Sequence, residues 1–264
     1  CARCAMPRSI WCRPASPHWK KPIVSLLLKS ELRLRIGARH CVAEVWRAGV
    51  AARCAGSAYT QDENPNLVEA ALAALETRGM SLPNRAVLSV EDELLYFATL
   101  PATMPAKAAL VAAREHFSAA LGEHELLVGV TLAASGERWL ASALPAELLD
   151  TWRFALSERD IALVAVQPAV LQDLHALEGK AQFDNGLVVM LRAEGLSFLT
   201  VEPAGITDLS WERRDLADLS ALAARVQAQL ALLPVAQDTL NPTLPGVLLA
   251  PLTEAQATAL RPMA

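Results

Sequence analysis

The feature that most constrains this chain is a pattern that runs twice. Near Glu31, Leu32, Leu34 and Ile36 alternate with Arg33 and Arg35, the period-two signature of a half-buried strand. Gly37-Ala38-Arg39 supplies a turn, Val42 to Trp46 returns, and Val50 to Tyr59 provides a third strand. Asn64-Pro65 then opens a helix whose Leu67, Ala70, Ala71, Ala74 and Leu75 share a face, and which ends at Gly79. A strand at Ala86 to Val90 follows. The pattern restarts at Leu187 to Leu191, turns at Arg192 to Gly195, and returns over Leu196 to Val201. Ile206 to Trp211 is the next strand, Leu216 to Leu233 an amphipathic helix, Val247 to Ala250 a closing strand, and a short helix begins at Thr253. The repetition lies in element order, not in residue identity.

Between the two blocks the periodicity predicts strands at Leu94–Leu100, Leu126–Ala133, Trp139–Leu144 and Ile161–Val166. It predicts helices at 105–121, Ala146–Glu158 and Ala169–Leu177. Such alternation implies an α/β protein with mixed sheets covered by helices. We divide the chain into a basic, Pro-rich leader over 1–30, a first half over 31–179 with an inserted subdomain, and a shortened second half over 180–264.

Charge is unevenly spread. Of 24 Lys and Arg, eleven lie in the first sixty residues against Glu31 and Glu44, so the remainder is acidic. A basic start could meet an anionic partner; the alternative is a disordered leader that is not native to the fold. The five cysteines (Cys1, Cys4, Cys12, Cys41, Cys54) are odd in number and lack a disulfide-framework spacing, which points to a reducing compartment, the cytoplasm by default. Cys1, Cys4 and Cys12 with His18 match no common zinc spacing, so no metal site is assigned. Apolar runs, mostly Ala, Leu and Val broken by charges, fall short of the roughly eighteen residues a membrane span needs.

Candidate chemistry is sparse. His40, His116, His124 and His175 are dispersed and read as surface or half-buried residues. Ser135-Gly136 is not part of a nucleophile elbow, and Cys41 and Cys54 lack an evident activating base. Glu91-Asp92-Glu93, three consecutive acids that must point in different directions, reads as a solvated loop. Trp139, Trp152, Phe154, Phe183, Phe198 and Trp211 are not interleaved with basic residues, which excludes a nucleic-acid stacking platform and makes them core or interface anchors.

Several stretches together carry a resemblance: Arg85-Ala-Val-Leu-Ser-Val, Leu95-Tyr-Phe-Ala-Thr-Leu-Pro101 with its helix, and Leu127-Val-Gly-Val-Thr-Leu-Ala-Ala134. Ile161-Ala-Leu-Val-Ala-Val-Gln-Pro168 and the restart at Asp184-Asn185-Gly186 complete it. Over residues 31 to 252 this layout resembles the actin-like (ribonuclease H-like) fold. Within that fold it resembles the actin-like proteins of type IV pilus and type II secretion platforms, pilus assembly protein M and the cytoplasmic part of secretion protein L. The resemblance implies an Asp-x-Gly turn in each half that approaches ATP phosphates, the glycine admitting backbone N–H groups and the acid orienting Mg²⁺. In the first half Gly37 remains, but Arg35 stands where the acid belongs. In the second, Asp184, Asn185 and Gly186 are the candidate turn, without the hydroxyl residue expected soon after, and Pro245-Gly246-Val247 has a single glycine where an adenosine loop has two.

A vestigial nucleotide site (Gly37, Asp184, Asn185, Gly186), no catalytic residue and no resident cofactor follow from the resemblance. The implied role is a scaffold at the inner membrane, held there by a cytoplasmic peptide of a membrane-anchored platform subunit, with a motor ATPase as a further partner. Two alternatives stay open: a divergent ATPase or small-molecule kinase using Mg-ATP, and a self-assembling filament or homodimer.

Overall fold

The computed structural model describes residues 30–49, 53–61, 66–122, 124–132, 138–178, 186–202, 205–215, 217–232 and 246–250. Cys1, Cys4, Cys12, His18, Ser135, Gly136, Phe183, Asp184, Asn185 and the helix expected from Thr253 lie outside them.

The first sheet is built from β1 (Glu31–Ile36), β2 (His40–Arg47), β3 (Arg53–Gln61), β4 (Arg85–Val90) and β8 (Ala162–Pro168), in the order β3-β2-β1-β4-β8. β1 to β3 form an antiparallel meander, and β4 and β8 add in parallel. Alternation in β1 buries Leu32, Leu34 and Ile36 on one face. Two helices cover that face, α1 (Leu67–Thr77) through Leu67, Val68, Ala71, Leu72 and Leu75, and α3 (Ala146–Ser157) through Leu149, Trp152 and Leu156.

β5 (Tyr96–Pro101), β6 (Leu126–Leu132) and β7 (Arg138–Pro145) form an antiparallel sheet in the order β5-β7-β6. It is roofed by α2 (Ala106–Leu121), whose Ala109, Ala113 and Phe117 recur at helical spacing and meet Val130, Trp139, Ala141 and Ala143.

After α4 (Ala169–Glu178) comes the third sheet. β9 (Gly186–Leu191), β10 (Gly195–Glu202), β11 (Gly205–Arg213) and β12 (Gly246–Ala250) take the order β11-β10-β9-β12. This is the order of the first four strands of the first sheet, with β12 parallel to β9 as β4 is to β1. Leu222 and Val226 of α5 (Leu219–Leu230) close its far face against Leu187, Val189, Leu191, Leu196 and Phe198. Asp218, not Leu216, starts that helix, its carboxylate accepting from the Ala221 N–H at 2.9 Å. The near face meets the first block through Leu140 and Val170 against Val188, Met190, Leu199 and Leu209. A bond from Thr99 Oγ1 to the Thr207 carbonyl, 3.0 Å, joins β5 to β11.

Trp139, Trp152 and Phe198 are core anchors as expected, whereas Phe154 is exposed. The expected solvated loop at Glu91-Asp92-Glu93 is instead a short 3-10 turn, Asp92–Leu94, with Glu91 and Asp92 buried. His40 is buried too. Their partners, described next, are the reason. Among the described residues, no helix is long and apolar enough to cross a membrane.

Candidate functional site

The duplicated topology brings two hairpins to one ionic cluster. In the first, Ile36 pairs with Cys41 and the Gly37 N–H donates to the His40 carbonyl at 2.9 Å. In the second, Leu191 pairs with Leu196 and the Arg192 N–H donates to the Gly195 carbonyl at 2.8 Å. Equal loop length and the same closing bond make the positions equivalent: Arg35 with Met190, Gly37 with Arg192, His40 with Gly195. Gly195 is needed because a Cβ there would strike the Glu212 carbonyl of β11 and come within 3.0 Å of the Arg213 Cα. Gly37 is needed because a Cβ would fall 2.6 Å from both His40 Nδ1 and Glu93 Oε1.

Between the hairpins lies an ionic cluster. Arg35 donates both terminal nitrogens to Asp173, at 2.9 and 2.8 Å, in a bidentate fork, and its Nε to Glu91. Arg192 enters from the other side, donating Nε to Asp92 Oδ2 at 2.8 Å and Nη1 to Asp173, with its Nη2 2.7 Å from the same Asp92 oxygen. Its Nε is also 3.8 Å from Glu91 Oε2. Asp92 further accepts from the Ser197 hydroxyl and, at 3.3 Å, from the Val170 N–H. Consecutive acids on the tight turn after β4 do point apart, and each reaches a different partner. Glu91 meets Arg35, Asp92 meets Arg192, and Glu93 accepts from the Ala38 N–H of the first hairpin. His40 Nε2 stands 4.0 Å from Glu91 Oε1. Ser89 donates to Gln172 at 2.7 Å, tying β4 to α4 beside the Arg35–Asp173 pair.

The cluster is graded from rim to root. At the rim, Arg35 and Asp173 keep side-chain exposures of 34% and 25%; at the root, Arg192 and Asp92 keep 2% and 0%. Burial pushes the Asp92 carboxyl up, opposed by the Arg192 charge and the Ser197 hydroxyl, and burial likewise raises Glu93. Asp173 goes the other way: burial would raise it, but hydrogen bonds from Arg35 and Arg192 outweigh this and lower it. Both guanidiniums lose hydration, yet their carboxylate partners hold them more firmly protonated than usual. Among the described residues Glu91, Asp92 and Asp173 share the two guanidiniums, and Glu91 Oε2 and Glu93 Oε2 are buried without a hydrogen bond.

Such an arrangement holds elements together; its one hydroxyl–carboxylate contact among the described residues, Ser197 with Asp92, is buried at the root and shared with the Arg192 guanidinium. Cys41 is buried, its thiol pushed up to about 12 by desolvation. Among the described residues no group of three His, Cys, Asp or Glu is placed to hold a metal ion. Of the turn residues singled out from sequence, Gly37 lies in the cluster, whereas Gly186 begins β9, paired with Val201 and Gly246. It stands six positions before Arg192, about 20 Å along the strand.

No protein-family model and no curated protein sequence matches the chain. Solved structures do match. A Bacteroides thetaiotaomicron protein of unknown function with an actin-like ATPase fold superposes with a TM-score of 0.59 at 9% identity, covering 92% of this chain and 90% of that one. The fold is actin-like. Two further solved structures match. One is to the PilM–PilN type IV pilus biogenesis complex, with a TM-score of 0.54, 15% identity, and 88% and 72% of the two chains covered. The other is to the cytoplasmic domain of EpsL, an inner-membrane component of the type II secretion system of Vibrio cholerae, at 0.52, 14%, 86% and 83%.

The hairpins 36–41 and 191–196 meet at the same ionic cluster, the first through Ala38 and His40 and the second through Arg192. Sequence reasoning treated Arg192–Gly195 as a plain turn and left Arg192, Asp92 and Asp173 without a role. A signal was present for one of them: Arg192 directly follows the wholly apolar strand β9.

Proposed function

We propose that this chain is a non-enzymatic scaffold or adaptor at the cytoplasmic side of an inner-membrane platform of a bacterial pilus or secretion system, with a nucleotide site that has lost its function. Its halves are residues 31–179 and 180–264. The observation that carries the reading is the pair of turns. An Asp-x-Gly turn needs an acid at 35 and 190 and a glycine at 37 and 192. The chain has Arg35 and Met190, Gly37 and Arg192.

The residues present do not fit a magnesium nucleotide. The Arg192 guanidinium lies among Asp92, Asp173 and Glu91, and the Ala38 N–H, which would face a phosphate, is taken by Glu93. A phosphate placed there would add negative charge to a cluster in which carboxylates already outnumber guanidiniums. The scaffold half of the reading is supported by likeness to the PilM–PilN complex and to EpsL. The partner it implies is a short cytoplasmic peptide of a membrane-anchored subunit, with a motor ATPase or a second copy of the chain as further partners.

Calorimetric titration of Mg-ATP into the purified chain is the test. No heat of binding at millimolar nucleotide is expected; micromolar affinity would sink the reading. Titration of the cytoplasmic peptide of a membrane-anchored platform subunit tests the scaffold role, with saturable binding expected, unaffected by Mg-ATP.

A further inference from the structure

We propose that Arg192 is a built-in closing ligand: inserted from the second block into the carboxylate socket Glu91–Asp92–Asp173 of the first, its guanidinium holds the cleft shut without any bound ligand. The part of this that equates the socket with a nucleotide's place rests on the reading above. The closure itself rests on geometry alone.

Every partner of Arg192 in the socket comes from the block β1 to α4. Asp92 and Glu91 follow β4, and Asp173 is on α4, where Arg35 of β1 fixes it in a bidentate fork. Arg192 itself is placed by the β9–β10 turn, its N–H bonded to the Gly195 carbonyl and its Nη2 3.2 Å from Met190 Sδ. Ser197 of β10 adds a second bond across the same divide, to Asp92. Root burial gives the contact its strength as a switch. Pulling the halves apart would either strand Asp92 unpaired or require rehydrating both ions together, whereas the Arg35–Asp173 pair at the rim stays within the first block and survives opening. The cation that a nucleotide-binding cleft would receive from solvent is here covalently part of the chain. Such a cleft has one resting state, which suits a surface that a partner must find preformed.

The apolar seam of Leu140, Val170, Val188, Met190, Leu199 and Leu209 could in principle close the cleft unaided. The test separates the two. Backbone amide hydrogen exchange and small-angle X-ray scattering are measured on the full chain and on Arg192→Ala, Arg192→Lys and the charge-balanced double variant Arg192→Met with Asp92→Asn. The double variant leaves no unpaired root charge, so it folds even where Arg192→Ala does not.

Closure by Arg192 predicts faster exchange in 91–95 and 186–202 of the double variant, by about tenfold or more, with a larger radius of gyration. Partial protection should remain in Arg192→Lys, and 20 mM-scale guanidinium, roughly that concentration and far below denaturing levels, should restore protection to Arg192→Ala. Exchange and radius equal to the parent in the double variant would assign closure to the apolar seam and overturn the proposal. Scattering of the unmodified chain with Mg-ATP adds an independent arm. Nucleotide heat without a change in radius would overturn the reading of a lost nucleotide site and leave the latch standing; a nucleotide-driven compaction would overturn the latch.

Discussion

The two hairpin turns of this protein share a loop length and a closing hydrogen bond, yet their chemistry differs. In the β1–β2 turn the close residue is Gly37, and the space beside it is filled by the His40 ring of the same hairpin and, from outside, by the Glu93 carboxylate. In the β9–β10 turn the equivalent residue is Arg192, which fills the space itself and reaches across to Asp92 and Asp173. The first turn keeps a backbone able to approach a ligand but has its N–H occupied; the second has exchanged approach for a cation. Duplication thus supplied two equivalent positions, and the chain uses them for opposite tasks, one to receive and one to insert.

The largest effect that sharpens this contrast is on the two arginines. Arg192→Ala leaves Asp92 charged and buried with one donor pair gone, and should cost about 3–5 kcal/mol of unfolding free energy. Arg35→Ala removes a fork at the half-exposed rim, where water can reach Asp173, but also takes the Nε donor from the buried Glu91, which keeps Arg192 nearby, and should cost about 2–3 kcal/mol. Urea denaturation of both variants measures the difference; equal losses would mean that rim and root are not distinct.

Next come the glycines. Gly195→Ala drives a Cβ into the backbone of β11, which cannot move without breaking the β10–β11 ladder, so about 2–3 kcal/mol is expected. Gly37→Ala meets the His40 ring and the Glu93 carboxylate, side chains that can swing aside, for about 1 kcal/mol. A reversal of that order, read from thermal midpoints, would show the first turn to be the more tightly built.

The fold was legible because each element announces itself locally. Alternation in 32–36, helical spacing in 67–75 and the restart at 187 place strands and helices within a residue or two of where they stand. The site was not, because its pairings span 19 to 138 residues along the chain and obey no local period. Asp184 to Gly186 attracted attention as a motif, yet Gly186 sits at the far end of β9 from the hairpin that matches Gly37's. Glu91-Asp92-Glu93 looked like a solvated loop on composition, since buried acids are rare unless paired, and the cations that pair them come from β1 and the β9–β10 turn. What betrays such a site in sequence is Arg192, directly after the wholly apolar β9, which must find an anion once that strand is buried.

The smallest predicted effect concerns Glu93, the acid that occupies the first turn, and it turns on sign. Its carboxyl and that of Asp92 are raised by burial, so on acidification from neutral pH they take up protons in the native state before the unfolded chain does. Native protons then exceed unfolded ones, and stability rises as pH falls through the raised values toward about 4. Asp173 is lowered, so the stability its pairs contribute is present above its unfolded value, about 3.9, and is lost as pH falls below that through its folded value. The profile should therefore climb gently on the acid side of neutrality before it collapses. Glu93→Gln keeps an oxygen for the Ala38 N–H while removing one surplus charge. It should be more stable than the parent at pH 7 by about 0.5 kcal/mol, with a flatter climb and an unaltered acid collapse. Thermal midpoints from pH 3 to 8 decide it. A variant less stable than the parent at pH 7 would mean that the Glu93 charge is satisfied in the first turn and that the surplus in this cluster is carried at the root instead, by Asp92 against Arg192.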